Sequence, residues 1–142
     1  MGKRLIGSVG LAIAGGTPSP YTRTTSFVIA CGAEDEVLTT GTKVTFRLPY
    51  DYTITEVRAS LTTAGTGANL VTLDFEQNTT SILSTKITID ATELTSTTAA
   101  TPPVILTSAL TDDASITCDV DQIDSGGVSA GLKMYLIGYK TL

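Results

Sequence analysis

The chain has no histidine and no tryptophan, and only two cysteines among its 142 residues. Without histidine, the Cys–His and Ser–His pairs that activate a nucleophile near neutral pH are excluded. Ser, Cys and carboxylate side chains occur, but no pattern sets a base beside a nucleophile. Charged residues are scarce at 16%, and because apolar residues reach 42% the scarcity marks a globular chain and not a disordered one. No apolar run approaches the roughly 20 residues that carry a helix across a bilayer. No segment repeats with a helical period, no heptads suggest a coiled coil, and there is no internal repeat.

Acidic residues outnumber basic ones by 14 to nine, giving a net charge of −5. Lys3, Arg4 and Arg23 precede residue 26 and no acid does, so the rest of the chain carries −8. Phosphate repels such a body, and no nucleic-acid partner is expected. Residues 1–16 imitate a secretory leader, with a basic start and an apolar stretch, but Gly7, Ser8 and Gly10 interrupt that stretch. Residues 1–25 read instead as an extended arm. Gly15-Gly16-Thr17-Pro18-Ser19-Pro20 suits an unfolded path over a surface. Lys3 and Arg4 are then expected beside acidic groups of a partner, with Leu5, Ile6, Leu11 and Ile13 in shallow apolar grooves. No membrane partner is expected.

What the chain has in quantity is threonine, 27 residues, mostly alternating with apolar ones. Threonine is β-branched, so it fits a pleated strand while showing a hydroxyl to water. Residues 26–142 read as one β domain. The expected strands are Ser26–Cys31, Thr42–Leu48, Ile54–Thr63, Asn69–Glu76, Ser81–Ile89, Val104–Thr107, Ser115–Asp121 and Gly131–Tyr139. Ile54 is out of phase with Val57, which predicts a bulge between them. Eight antiparallel strands of this length favour an all-β, two-sheet sandwich of the jelly-roll or Ig-like kind.

Few residues stand out as sites. Cys31 and Cys118 are expected as buried thiols in preference to a disulfide. Asp119, Asp121 and Asp124, with Asp112 and Asp113, resemble part of a calcium loop. The spacing is not that of an EF-hand and no glutamate closes it, so a solvated acidic face is the expectation, with no metal and no cofactor. Arg58 lies between Glu56 and Ser60 on an outward face, either as an interface anchor or in a cross-strand ion pair. Tyr50 and Tyr52 flank Asp51 in a turn expected to be exposed, where they stack on a sugar, fill a partner's pocket or cap one end of the sandwich.

One ordered series of segments is more specific than its composition. It comprises Thr45-Phe46-Arg47-Leu48-Pro49-Tyr50, Val57-Arg58-Ala59-Ser60-Leu61-Thr62-Thr63 and Thr80-Ser81-Ile82-Leu83-Ser84-Thr85-Lys86-Ile87-Thr88-Ile89-Asp90. Ser96-Thr97-Thr98-Ala99-Ala100-Thr101-Pro102, Asp119-Val120-Asp121-Gln122-Ile123 and Gly131-Leu132-Lys133 follow. The series, over roughly residues 42–140, resembles a β-sandwich domain that recurs in virion proteins of tailed bacteriophages. The resemblance implies a structural component of the particle and carries over no catalytic or ligand-binding residue. The expectation is a non-enzymatic capsid decoration (cement) protein. It would be made in the bacterial cytoplasm and sit on the virion exterior, as a homo-oligomer (dimer or trimer) bound to capsid or other virion subunits. The alternative is a carbohydrate- or receptor-binding module of a tail or head appendage.

Overall fold

A strand side chain has only two faces to choose from, and the apolar residues choose one of them consistently. In the computed structural model, which describes residues 23–142, they form eleven short strands. These are β1 (Thr25–Ala30), β2 (Gly41–Arg47), β3 (Tyr52–Ser60), β4 (Val71–Gln77), β5 (Thr80–Ser81) and β6 (Leu83–Thr85). They continue as β7 (Ile87–Ile89), β8 (Val104–Ile105), β9 (Ala109–Leu110), β10 (Ser115–Gln122) and β11 (Lys133–Lys140). The expected arm contacts, Lys3, Arg4, Leu5, Ile6, Leu11 and Ile13, lie outside the described residues.

All strand pairs are antiparallel. The first sheet runs β1-β11-β3-β9; the second runs β2-β10-β4, with β5 and β7 sharing the far edge of β4. With β5–β7 taken as one interrupted strand, and β8, which pairs only with β6, set aside, eight positions fall in jelly-roll order, switching sheet at every step except from β4 to β5–β7. The immunoglobulin arrangement is excluded, because it keeps its first two strands in one sheet and here β1 and β2 belong to different ones. Between the sheets lie Val57, Ala59, Met134 and Leu136 from the first, and Leu73, Phe75, Ile116 and Val120 from the second. Each large side chain fully buried there stabilises the fold by about 1.5–3 kcal/mol. Cys31, just after β1, and Cys118 in β10 meet in this core as unbridged thiols. The hydrogen bond that Cys118 donates to Cys31, and then burial, push Cys118 far above the ordinary thiol range, so it stays neutral.

The expected bulge is present. Glu56 pairs with Ile137 and Ile54 with Gly138, so Thr55 is the extra residue. It lets Tyr52 and Ile54 point inward before it and Val57 and Ala59 after it. The expected strand Ser81–Ile89 is instead broken into β5, β6 and β7. Ile82 and Leu83 are both buried, which a period of two forbids in a regular strand. The chain kinks at Ile82, whose carbonyl accepts the Leu106 and Thr107 N–H groups, and β6 leaves β4 to pair with β8. Asp74, which alternation places outside, lies outside the core but is only 1% exposed, covered by Ser81 and Lys86.

Two local devices fix the loops. The β4–β5 turn places Asn78 at φ 50° and Thr79 at φ 70°, the pair of left-handed conformations that a two-residue hairpin requires. Asn78 is anchored by exchange with Ser115: its N–H donates to the Ser115 carbonyl and its Oδ1 accepts from the Ser115 N–H. Thr79 gains no such anchor across the turn, and a β-branched residue is strained at that φ. The second device is Asp124, 2% exposed, which binds the turn at Thr66 to the β10–β11 loop. Its carboxylate accepts the Thr66, Val128 and Ser129 N–H groups and the Ser129 hydroxyl. Gly65 permits the approach, since a Cβ there would stand 2.5 Å from the Asp124 Cβ. Burial raises the Asp124 pKa, but the four donors outweigh it and hold the carboxyl well below the usual range.

Thr79→Gly is expected to raise unfolding free energy by about 1 kcal/mol, read by urea denaturation; a loss of stability would mean the turn tolerates threonine without strain. Asp124→Asn is expected to cost about 3 kcal/mol. Because the folded-state pKa is depressed, the Asp124 contribution is complete above the ordinary carboxylate value and drains away as pH falls below it. Melting curves of the parent and D124N chains should therefore converge in acid and diverge towards neutrality.

Candidate functional site

Arg58 stands on the outer face of the first sheet, and the Thr55 bulge positions it. Downstream of the bulge, Glu56, Arg58 and Ser60 fall on the outer face of the first sheet, two residues apart. Arg58 and Glu56 form a two-bond ion pair, Nε to Oε2 at 2.5 Å and Nη2 to Oε1 at 3.2 Å. Hydrogen bonding to Glu56, then its charge, raises the guanidinium pKa further. Both side chains remain almost half exposed, so the pair is worth little as stability. The ion pair that Arg58 forms is with Glu56 of its own strand and not across strands as expected.

Arg58 and Thr97 form a ridge between two open hollows. One, of about 430 Å³, has Tyr135 and Ile137 of β11 at its floor, with Ser26, Ser60 and Thr95 around them. The other, of about 510 Å³, is bounded by Thr55, Glu56, Pro102, Pro103 and Val104. The far wall is the segment between β7 and β8, pinned at the end of β3. The Ala59 N–H donates to the Ser96 Oγ, and the Leu61 N–H, just past the strand, donates to the Leu94 carbonyl where Ser60 and Thr95 pair as an antiparallel bridge. Hydroxyls pair across the rim: Ser60 with Tyr135 at 2.9 Å and Thr95 with Thr97 at 3.0 Å.

Tyr50 and Tyr52 do not belong to an exposed turn. Tyr52 is fully buried as the first inward residue of β3, and its hydroxyl donates to the Thr25 carbonyl at 2.8 Å. Burial pushes its pKa up. Its ring meets Phe27 edge-on at 5.0 Å, and Tyr50, half-buried, packs on both. Lys140 lies over the Tyr50 ring, 5.1 Å from its centroid. The tyrosines close one end of the sandwich, and Tyr52 has no surface to offer a partner.

The acidic residues are also divided. Asp124 is the loop latch described above. Asp119 is buried on the outer side of β10, accepting the Thr42 and Thr117 hydroxyls, and faces Asp74 across the β10–β4 ladder. Lys86 pairs with Asp74 and Asp121. Asp113 lies 3.9 Å from Arg47, another exposed pair. Among the described residues no three carboxylate or thiol groups are gathered as a metal would need. Glu76 joins this network at a cost. Burial, and then the charges of Asp119, Asp74 and Asp121, raise its pKa above the ordinary carboxylate value.

The folded state therefore holds the Glu76 proton more tightly than the unfolded chain does, and ionisation at higher pH opposes folding. Glu76→Gln is expected to melt above the parent at pH 7, with the gain vanishing below about pH 4. A variant that melts lower at pH 7 would mean attraction to Lys86 dominates instead.

Comparison with known proteins finds no matching family, no matching curated protein and no matching solved structure.

Proposed function

We propose that this chain is a non-enzymatic structural protein of a bacteriophage virion, a capsid decoration protein that holds neighbouring subunits of the head shell as a small homo-oligomer. The observation that carries the reading is the jelly-roll strand order, an architecture used widely in viral capsid domains. Fold alone does not fix function; the resemblance of the motif series over residues 42–140 to a domain of tailed-phage virion proteins is what favours a phage particle. Among the described residues β1 and β2 each end their sheet, so these edges and the outer face offer contact surface. A stable contact with the shell requires roughly 1,200 Å² or more of buried area.

The test is on the particle. Virions assembled without this protein are expected to release their genome at lower temperature than complete virions, with full resistance regained when purified protein is added back. Stability unchanged by its removal, or labelling confined to the tail, would overturn the assignment.

A further inference from the structure

The two hollows flanking Arg58 share one chemistry, and it does not depend on where the chain sits in a particle. We propose that they form a single binding site for a neutral oligosaccharide, one sugar ring on each side of the Arg58–Thr97 ridge.

Three observations lead there. First, the ion pair is held but not saturated. A guanidinium has five N–H donors and a carboxylate about four acceptor positions. The Nε–Oε2 and Nη2–Oε1 bonds use two of each, leaving three donors and about two acceptors, fixed in one plane and facing solvent. Adjacent sugar hydroxyls need a donor and an acceptor at that spacing. Secondly, the remaining polar groups are hydroxyls already oriented by one another, Ser60 with Tyr135 and Thr95 with Thr97. Thr95 also accepts the Thr97 N–H, while Ser60, Tyr135 and Thr97 keep a lone pair for a ligand hydroxyl. Between them, Ile137, the Tyr135 ring and Pro103 give apolar area for the C–H face of a sugar. Thirdly, the charge is neutral. Glu56 opposes an anionic ligand and Arg58 a cationic one, and the acidic body adds to the first effect. Each hollow lies in the range of small-ligand sites.

Threonine hydroxyls are common over this whole surface, so hydroxyls alone would mean little. Here Ser26, Ser60, Thr95 and Tyr135 line the hollow on one side of Arg58, Thr55 and Glu56 line the more apolar one on the other, and Thr97 is shared. The third described hollow, beside Cys31, holds only about 10 Å³.

The experiment titrates neutral di- and trisaccharides of glucose, galactose, mannose and N-acetylglucosamine into the ¹⁵N-labelled full chain. At least one is expected to shift the amide signals of Arg58, Thr97 and Tyr135 saturably, with roughly millimolar affinity or tighter. Arg58→Gln and Thr97→Val should each weaken that binding about tenfold or more, with an unchanged circular-dichroism spectrum. Arg47→Gln, an exposed arginine on the other sheet, should not. The proposal falls if no sugar of the panel moves those signals, or if binding survives both substitutions. Equal or tighter binding of a sulfated oligosaccharide that salt abolishes would also overturn it. So would sugar-free self-association that protects the same three amides, because the occupant would then be a second copy.

Discussion

Each sheet must hide one face, and among the described residues the other sheet is what hides it. That constraint organises the molecule. It makes Phe75, Leu73, Ile116 and Val120 face Val57, Ala59, Met134 and Leu136, and it leaves threonine, serine and charge to the outside. Where the period of two would break it, the backbone gives way. Thr55 is squeezed out as a bulge, and the run from Thr80 to Ile89 is cut into three because Ile82 and Leu83 both belong inside. The outer hollows are by-products of these adjustments: the bulge sets the phase of Glu56 and Arg58, and the kink frees β6 to hold β8 in place.

Much of this was legible in the chain. Leu132, Met134 and Leu136 alternate with polar or half-buried residues, and their strand follows; the mismatch between Ile54 and Val57 announces the bulge. These are local signals, carried by neighbours two or three residues apart. The misread features depend on distant parts of the chain. Tyr52 stands next to a proline turn and so looks exposed, yet its place is set by Phe27 and the Thr25 carbonyl. Asp74 obeys alternation but is covered by Lys86, twelve positions on, and by Ser81. Asp124, Asp119 and Asp121 are close in sequence and serve different ends because one belongs to a loop and the others to a strand.

The hollows illustrate the same limit. Arg58 and Glu56 are recognisable as outward residues, but their walls come from Thr95, Thr97 and Pro103, in a polar stretch that carries no periodic signal. The bonds from Ala59 and Leu61 to the Ser96 hydroxyl and the Leu94 carbonyl help bring that stretch against the sheet. Bonds from a backbone N–H to an acceptor more than thirty positions away leave no trace in the periodic pattern of side chains.

The position of β11 has a consequence for synthesis. It is the last strand of the chain, yet it lies inside its sheet, with β1 on one side and β3 on the other. While a ribosome is still making residues before 133, β1 and β3 have no common partner, and their apolar faces wait with open edges. Closure joins segments more than a hundred positions apart, the slow kind of contact to form. Until β11 emerges, the open edges of β1 and β3 can stick to neighbouring chains, and the polar threonines along those strands work against such pairing.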